Sequence, residues 1–134
     1  MGNRLKVKSQ SPSTTPVGKQ TSNVSFGFSS LCPYSYPTGE NDGTFFIKFL
    51  ERLKKLCGTD WNTINISGRH SFGSEKMLVK NMTKSAQQLV PAGMDSLMVL
   101  RATGDNHAFL GYRDGNVFQI IFIEYQFGDV YKHS

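Results

Sequence analysis

Histidine is the side chain that titrates nearest neutrality, and this chain holds three: His70, His107 and His133. His70 lies in SGRHSFGSEK, beside Arg69 and six residues before Lys76. A Gly/Ser loop bearing Arg, His and Lys is suited to holding a phosphate. The stretch RATGDNHAFLGYRDGNVFQIIFIEYQFGDVYKH, from Arg101 to His133, adds Arg101, His107, Arg113 and Tyr131. Cleavage of RNA without a metal needs three things. These are a base for the 2′-hydroxyl, an acid for the leaving 5′-oxygen, and cations around the phosphorane. On that chemistry His70 or His107 serves as base or acid, and Arg101 and Arg113 hold the phosphate. Tyr131 stacks on a base or donates a proton. His133 stands two residues after Tyr131, close enough to the end for fraying to be expected. The plain alternative is an exposed loop histidine, a strand-edge histidine, polar strand decoration and a core-edge tyrosine.

The elements that must position these groups follow from hydrophobic period and turn residues. VSFGFSSL, Val24 to Leu31, alternates as a strand with one aromatic face. A loop punctuated by Pro33, Pro37, Gly39 and Gly43 follows. Asp42 caps a helix GTFFIKFLERLKKLC that Gly58 ends. Its apolar stripe is read as Phe46, Phe49, Leu50, Leu53 and Cys57, with Lys48, Arg52 and Lys55 on another face. A shorter helix starts at Thr59 or Asp60, Met77 to Val79 becomes extended, and one helical turn precedes Pro91.

Three strands then form a meander: Ser96 to Thr103, HAFLGYR, and NVFQIIFIEYQF. Asp114-Gly115 makes the hairpin signal between the last two. The near-continuous apolar run of the third places it centrally. The expected fold is α+β. An antiparallel sheet of about four strands carries two helices packed on one face, in the order β-α-α-β-β-β. Strand parity places Arg101, His107 and Arg113 on the face opposite the helices.

Length fits one domain. Residues 1–22 are polar and carry Arg4, Lys6, Lys8 and Lys19 without an acid, so they read as a disordered basic arm before a single domain over 23–134. That arm holds most of the net charge of +5. The remainder is nearly balanced but uneven: between Thr44 and Lys84 eight bases face three acids. Arg69, Lys76, Lys55 and Lys80 are the candidate nucleic-acid contacts.

No apolar run approaches the roughly 18 residues of a membrane span, and the N-terminus has no apolar signal region. The expected setting is cytoplasmic, without a membrane partner. Cys32 and Cys57 form no metal or redox spacing and read as small buried hydrophobes. The histidines lack H-x-x-H or H-E-x-x-H spacing, so neither a metal site nor another cofactor is expected. No P-loop, dinucleotide or nucleophile-elbow motif occurs.

The stretches LRATGDNHAFLGYRDG, VFQIIFIE and DVYKH, following the two helices, resemble the RelE/YoeB/HigB class of bacterial toxins. The resemblance covers roughly residues 44–133 and is concentrated in the last 40. The chain differs from that pattern at two places. His107 stands where a basic residue often follows the GD turn, and EYQFGD stands where relatives carry a His-Arg pair. What the resemblance implies is a toxin acting as an RNA endonuclease (an mRNA interferase), free or on the ribosome, neutralised by a protein antitoxin. Two other readings stay open. One is a non-catalytic RNA- or protein-binding module of phage or mobile-element origin in the same fold. The other is a small-ligand binder using an aromatic cleft around Phe26, Phe28, Trp61 and Phe109.

Overall fold

A computed structural model describes residues 23–67, 73–103 and 107–133. The proposed arm 1–22 lies outside the described residues. The fold is α+β. In chain order it runs β1 (Ser25–Gly27), a 3-10 turn (Tyr36–Gly39), α1 (Gly43–Cys57), α2 (Trp61–Ile66) and β2 (Glu75–Leu78). A second 3-10 turn (Val79–Asn81) and α3 (Lys84–Gln87) lead to β3 (Ser96–Arg101), β4 (Ala108–Asp114) and β5 (Val117–Ile123). The sheet has five strands in the order β1-β5-β4-β3-β2. It exceeds the expected four because the extended stretch near Met77 pairs as an edge strand on β3. It is also mixed, since β1 runs parallel to β5.

The helix caps agree with the sequence reading. The Asp42 carboxylate accepts from Phe45 N at 3.1 Å, and Asp60 accepts from Thr63 N at 2.7 Å. The α1 stripe is rotated from the expected one. Phe45, Phe49, Leu53 and Leu56 are buried, whereas Leu50 is 63% exposed and Cys57 is exposed. Apolar residues span so wide an arc of this helix that periodicity permits both registers. Cys32 is half-buried, and that burial pushes its thiol pKa up, away from reactivity.

Each face of the sheet buries a core cluster. On one, α1 and α2 bury Leu100, Phe109, Phe118, Ile120 and Ile123. On the other, a strap formed by the segment around α3 and the chain near Tyr131 buries Leu97, Val99, Leu110, Ile121 and Phe122. Thr83 N donates to Val130 O at 2.8 Å and Met82 bridges to Tyr131, closing the strap. A bulge between Leu110 and Gly111 lets β5 bury Ile121 and Phe122 on the same side. Gly111 is required there, because a Cβ would lie 1.9 Å from Gln119 O. The hairpin loop is Gly115-Asn116, one residue later than expected: Asp114 still pairs with Val117 and Gly115 takes φ 64°.

This arrangement corrects the expected working face. Arg101 pairs with Ala108, so it shares a side with Val99 and Leu110 under the strap. His107 packs instead on Phe45 of α1, and Arg113 lies over Trp61 of α2. The three are divided between the two faces. The parity within each strand was sound, but the register between β3 and β4 decides which residues share a side. Most of the expected aromatic cleft is core: Trp61 and Phe109 are buried and Phe26 packs against Phe109 and Phe118, while Phe28 is exposed.

Candidate functional site

The site forms at the sheet end where β3 finishes, β4 begins and β5 finishes. Its framework is the chain from Glu124 to His133, held by the Glu124 carboxylate. Glu124 has no solvent exposure, and its Oε2 accepts from Val130 N at 3.0 Å and Tyr131 N at 3.5 Å. Its Oε1 lies 2.5 Å from His133 Nε2. The loop between them is pinned from outside. Ser35 Oγ donates to Asp129 Oδ2 at 2.7 Å and accepts from Tyr125 N at 2.8 Å. Tyr34 Oη and Thr83 Oγ1 each donate to Asp129 O at 2.9 Å. Ser35 reaches these partners in a tight turn with φ 76°, where Tyr36 N donates to Tyr34 O.

That scaffold orders a series of rings. His107 contacts Phe45 at 5.1 Å and Phe127 at 4.5 Å between centroids. Phe127 contacts His133 at 5.2 Å, and His133 stacks on Tyr131 at 4.3 Å. Phe127 is 54% exposed, so its ring is a solvent-facing surface touched by two imidazoles. Behind the series, Arg101 donates to Glu75 Oε2 at 2.7 Å and to Tyr131 Oη at 3.4 Å. Burial raises the pKa of Tyr131, an effect the Arg101 charge opposes. A tyrosine so placed is protonated at neutral pH.

A basic surface continues from the same sheet end. Arg52 Nε donates to Arg101 O at 3.3 Å. Arg52, Lys48, Lys54 and Lys55 line a surface depression of about 700 Å³ with Glu51 and Thr103. Asp42 ties it to the rings. Its pKa is lowered first by the hydrogen bond from Tyr125 Oη at 2.7 Å, then by Phe45 N, with smaller contributions from His107 and Lys48.

Of the residues singled out in the sequence, Arg101, His107 and Tyr131 do meet here, though on different terms. His107 and Tyr131 join the ring series, while Arg101 is buried in an ion pair with little contact with solvent. Arg113 lies within β4 near its far end, its guanidinium 4.7 Å from the Trp61 ring and its Nε donating to Gly115 O. Lys55 lines the depression, Lys76 is exposed on β2 and Lys80 is exposed in the second 3-10 turn, so these three form no single patch. Arg69 and His70 lie outside the described residues.

Two members of the site escaped the sequence reading. Glu124 interrupts an apolar run, and a carboxylate inside such a run signals a buried, partnered charge. His133 was expected to fray, whereas Glu124 and Tyr131 hold it.

Chemically, a buried carboxylate against Nε2 fixes the tautomer and orientation of the His133 ring and directs Nδ1 away from the pair. The second imidazole, His107, touches the same Phe127 ring. Among the described residues no His/Cys/Asp/Glu group is arranged to hold a metal ion, and no helix is long and apolar enough to cross a membrane. No protein-family model matches this chain, and the comparisons with curated proteins and with solved structures found no match.

Proposed function

We propose that the protein is a small RNA-binding endoribonuclease whose acid–base centre is the Glu124–His133 pair with His107, and whose cationic approach surface is α1. The observation that carries this reading is the half-buried His133 held by Glu124 beside an exposed aromatic ring, Phe127, that the imidazole of His107 also touches. In the proposed reaction, His133 removes the proton from a ribose 2′-hydroxyl. The 2′-oxygen attacks phosphorus, and the P–O5′ bond breaks. The leaving 5′-oxygen takes a proton from the His107 imidazolium. The products are a 2′,3′-cyclic phosphate and a 5′-hydroxyl, with no metal required. Phe127 offers a stacking surface for a base, a contact tolerant of sequence. Lys48, Arg52, Lys54 and Lys55 supply the non-specific attraction for the strand. On this reading the activity belongs with the RelE-like toxins that the C-terminal third resembles, and a protein antitoxin is the matching partner.

One observation favours a second reading, a non-catalytic RNA-binding module. Arg101, a cation in contact with Tyr131 of the ring series, is committed to Glu75 and Tyr131 rather than offered to a phosphorane. Cleavage of a labelled single-stranded RNA by purified protein in EDTA separates the two. Products ending in 2′,3′-cyclic phosphate support the nuclease. Salt-sensitive binding without any cut strand supports the module. Neither binding nor cleavage at low salt removes both.

A further inference from the structure

The two helices cover the β1–β5–β4 side of the sheet, where Trp61 contacts Phe118. On the same face, the β2–β3 side forms a groove of about 360 Å³ among the described residues. Its floor follows from strand register. Lys76 pairs with Met98 and Met98 with Gly111, so these three lie side by side across β2, β3 and β4. Ser74, Glu75, Ser96, Leu97, Tyr112 and Arg113 complete the lining. The depression exists because the β4–β5 bulge excludes a side chain at Gly111, leaving bare backbone beside the Met98 thioether.

Two exposed cations flank this floor, and neither is paired with a carboxylate among the described residues. The Glu75 carboxylate, one residue from Lys76, is turned to Arg101 under the other face. Arg113 is pre-ordered. Its Nε is fixed on Gly115 O at 2.7 Å and its plane is held over Trp61, so less side-chain entropy remains to be lost on binding.

We propose that this groove is a second ligand site, binding a nucleotide unit with its phosphate between Lys76 and Arg113 and its base on the Met98–Gly111 floor. Two cations on the outer strands of the groove, Lys76 on β2 and Arg113 on β4, with Ser96 on the strand between them, suit a tetrahedral anion that accepts from several directions. A carboxylate accepts mainly in its own plane. The groove is of a size that encloses a small ligand. A flat backbone floor beside a polarisable sulfur suits a planar ring. The nucleotide has two sources, a free mononucleotide or one unit of an RNA strand. The site lies towards the opposite end of β4 from His107 and does not depend on cleavage.

Trp61 is the only tryptophan in the chain and touches Arg113, so its emission reports on the groove. The full-length protein is titrated with 5′-AMP, with adenosine, and with a 2′-O-methyl hexa-adenylate that cannot be cut. A saturable change with 5′-AMP or the hexamer, and none with adenosine, is the expected result. AMP alone identifies a free-nucleotide site, the hexamer alone a strand site, and both together a site open to either. Lys76→Ala, at an exposed position, and Arg113→Lys should each weaken binding about tenfold, as for loss of a charged hydrogen bond. His133→Ala should leave it unchanged, which separates this site from the proposed catalytic centre. Absence of saturation with either phosphate ligand overturns the proposal. So does equal binding of adenosine, or wild-type affinity in Lys76→Ala.

Discussion

His133 Nε2 lies 2.5 Å from Oε1 of Glu124, a carboxylate with no exposure to solvent, and the imidazole stacks on Tyr131 at 4.3 Å. The contact does two jobs at once. It turns the His133 ring into an oriented group at the surface, and it closes the loop that presents Phe127. The same carboxylate accepts from Val130 N and Tyr131 N, so its loss is felt by both.

Replacing Glu124 with Ala should therefore destabilise the fold by at least about 2 kcal/mol, because buried amide donors are left without an acceptor. Urea unfolding of the purified variant measures this. Glu124→Gln keeps the size and one acceptor and should cost less than Glu124→Ala. Equal stability of Glu124→Ala and wild type would mean the loop is not closed by this residue.

Arg101 is predicted to be a structural cation. Arg101→Ala should cost about 2–4 kcal/mol, at or below the range for breaking a fully buried pair because Glu75 keeps some contact with solvent. Binding of RNA per folded molecule should be little changed. A stable Arg101→Ala variant with weakened RNA affinity would return Arg101 to the role of a phosphate ligand.

The helix register is tested by a contrast on α1. Phe49→Ala should cost about 3–5 kcal/mol and Leu53→Ala about 2–5 kcal/mol through lost burial and cavity formation. Leu50→Ala, on the exposed side, should stay within about 0.5 kcal/mol of wild type. Thermal or chemical denaturation of the three variants decides between the observed stripe and the one containing Leu50.

Acid should weaken the start of α1. The pKa of Asp42 is lowered in the folded state, chiefly by the hydrogen bond from Tyr125 and then by Phe45 N. A depressed folded pKa means that the unfolded chain binds the proton more readily. The stabilising contribution is then present above the ordinary aspartate pKa and lost as pH falls through the folded value. Asp42→Asn should lower the melting temperature at neutral pH, and the difference from wild type should shrink on acidification. A gap that persists undiminished at the lowest pH would assign the effect to shape rather than charge.

How far the sequence spoke is clear from particular residues. The caps at Asp42 and Asp60, the meander and the α+β class were legible because caps, turns and alternation are local signals. The buried side of α1 was not. Phe45, Phe46, Ile47, Phe49, Leu50, Leu53, Leu56 and Cys57 wrap too much of the helix to single out one stripe. The joint face of Arg101, His107 and Arg113 failed because relative register across β3 and β4 is a tertiary property. The strap over the second face was invisible for the same reason, since Met82 and Tyr131 meet only in three dimensions. His107 and Tyr131 entered the candidate site from residue type. Glu124 and His133 needed the fold to bring them together.

The central claim is that His133 moves a proton during RNA cleavage. The direct measurement is single-turnover cleavage of a labelled single-stranded RNA in EDTA, with binding measured in parallel, for wild type and His133→Ala. The account predicts that wild type cuts and leaves a 2′,3′-cyclic phosphate. His133→Ala should bind the RNA with similar affinity and lose about 10²–10⁴ in rate, the usual range for a positioned acid or base. Cleavage by His133→Ala at the wild-type rate, or intact RNA with the wild-type protein, would contradict it.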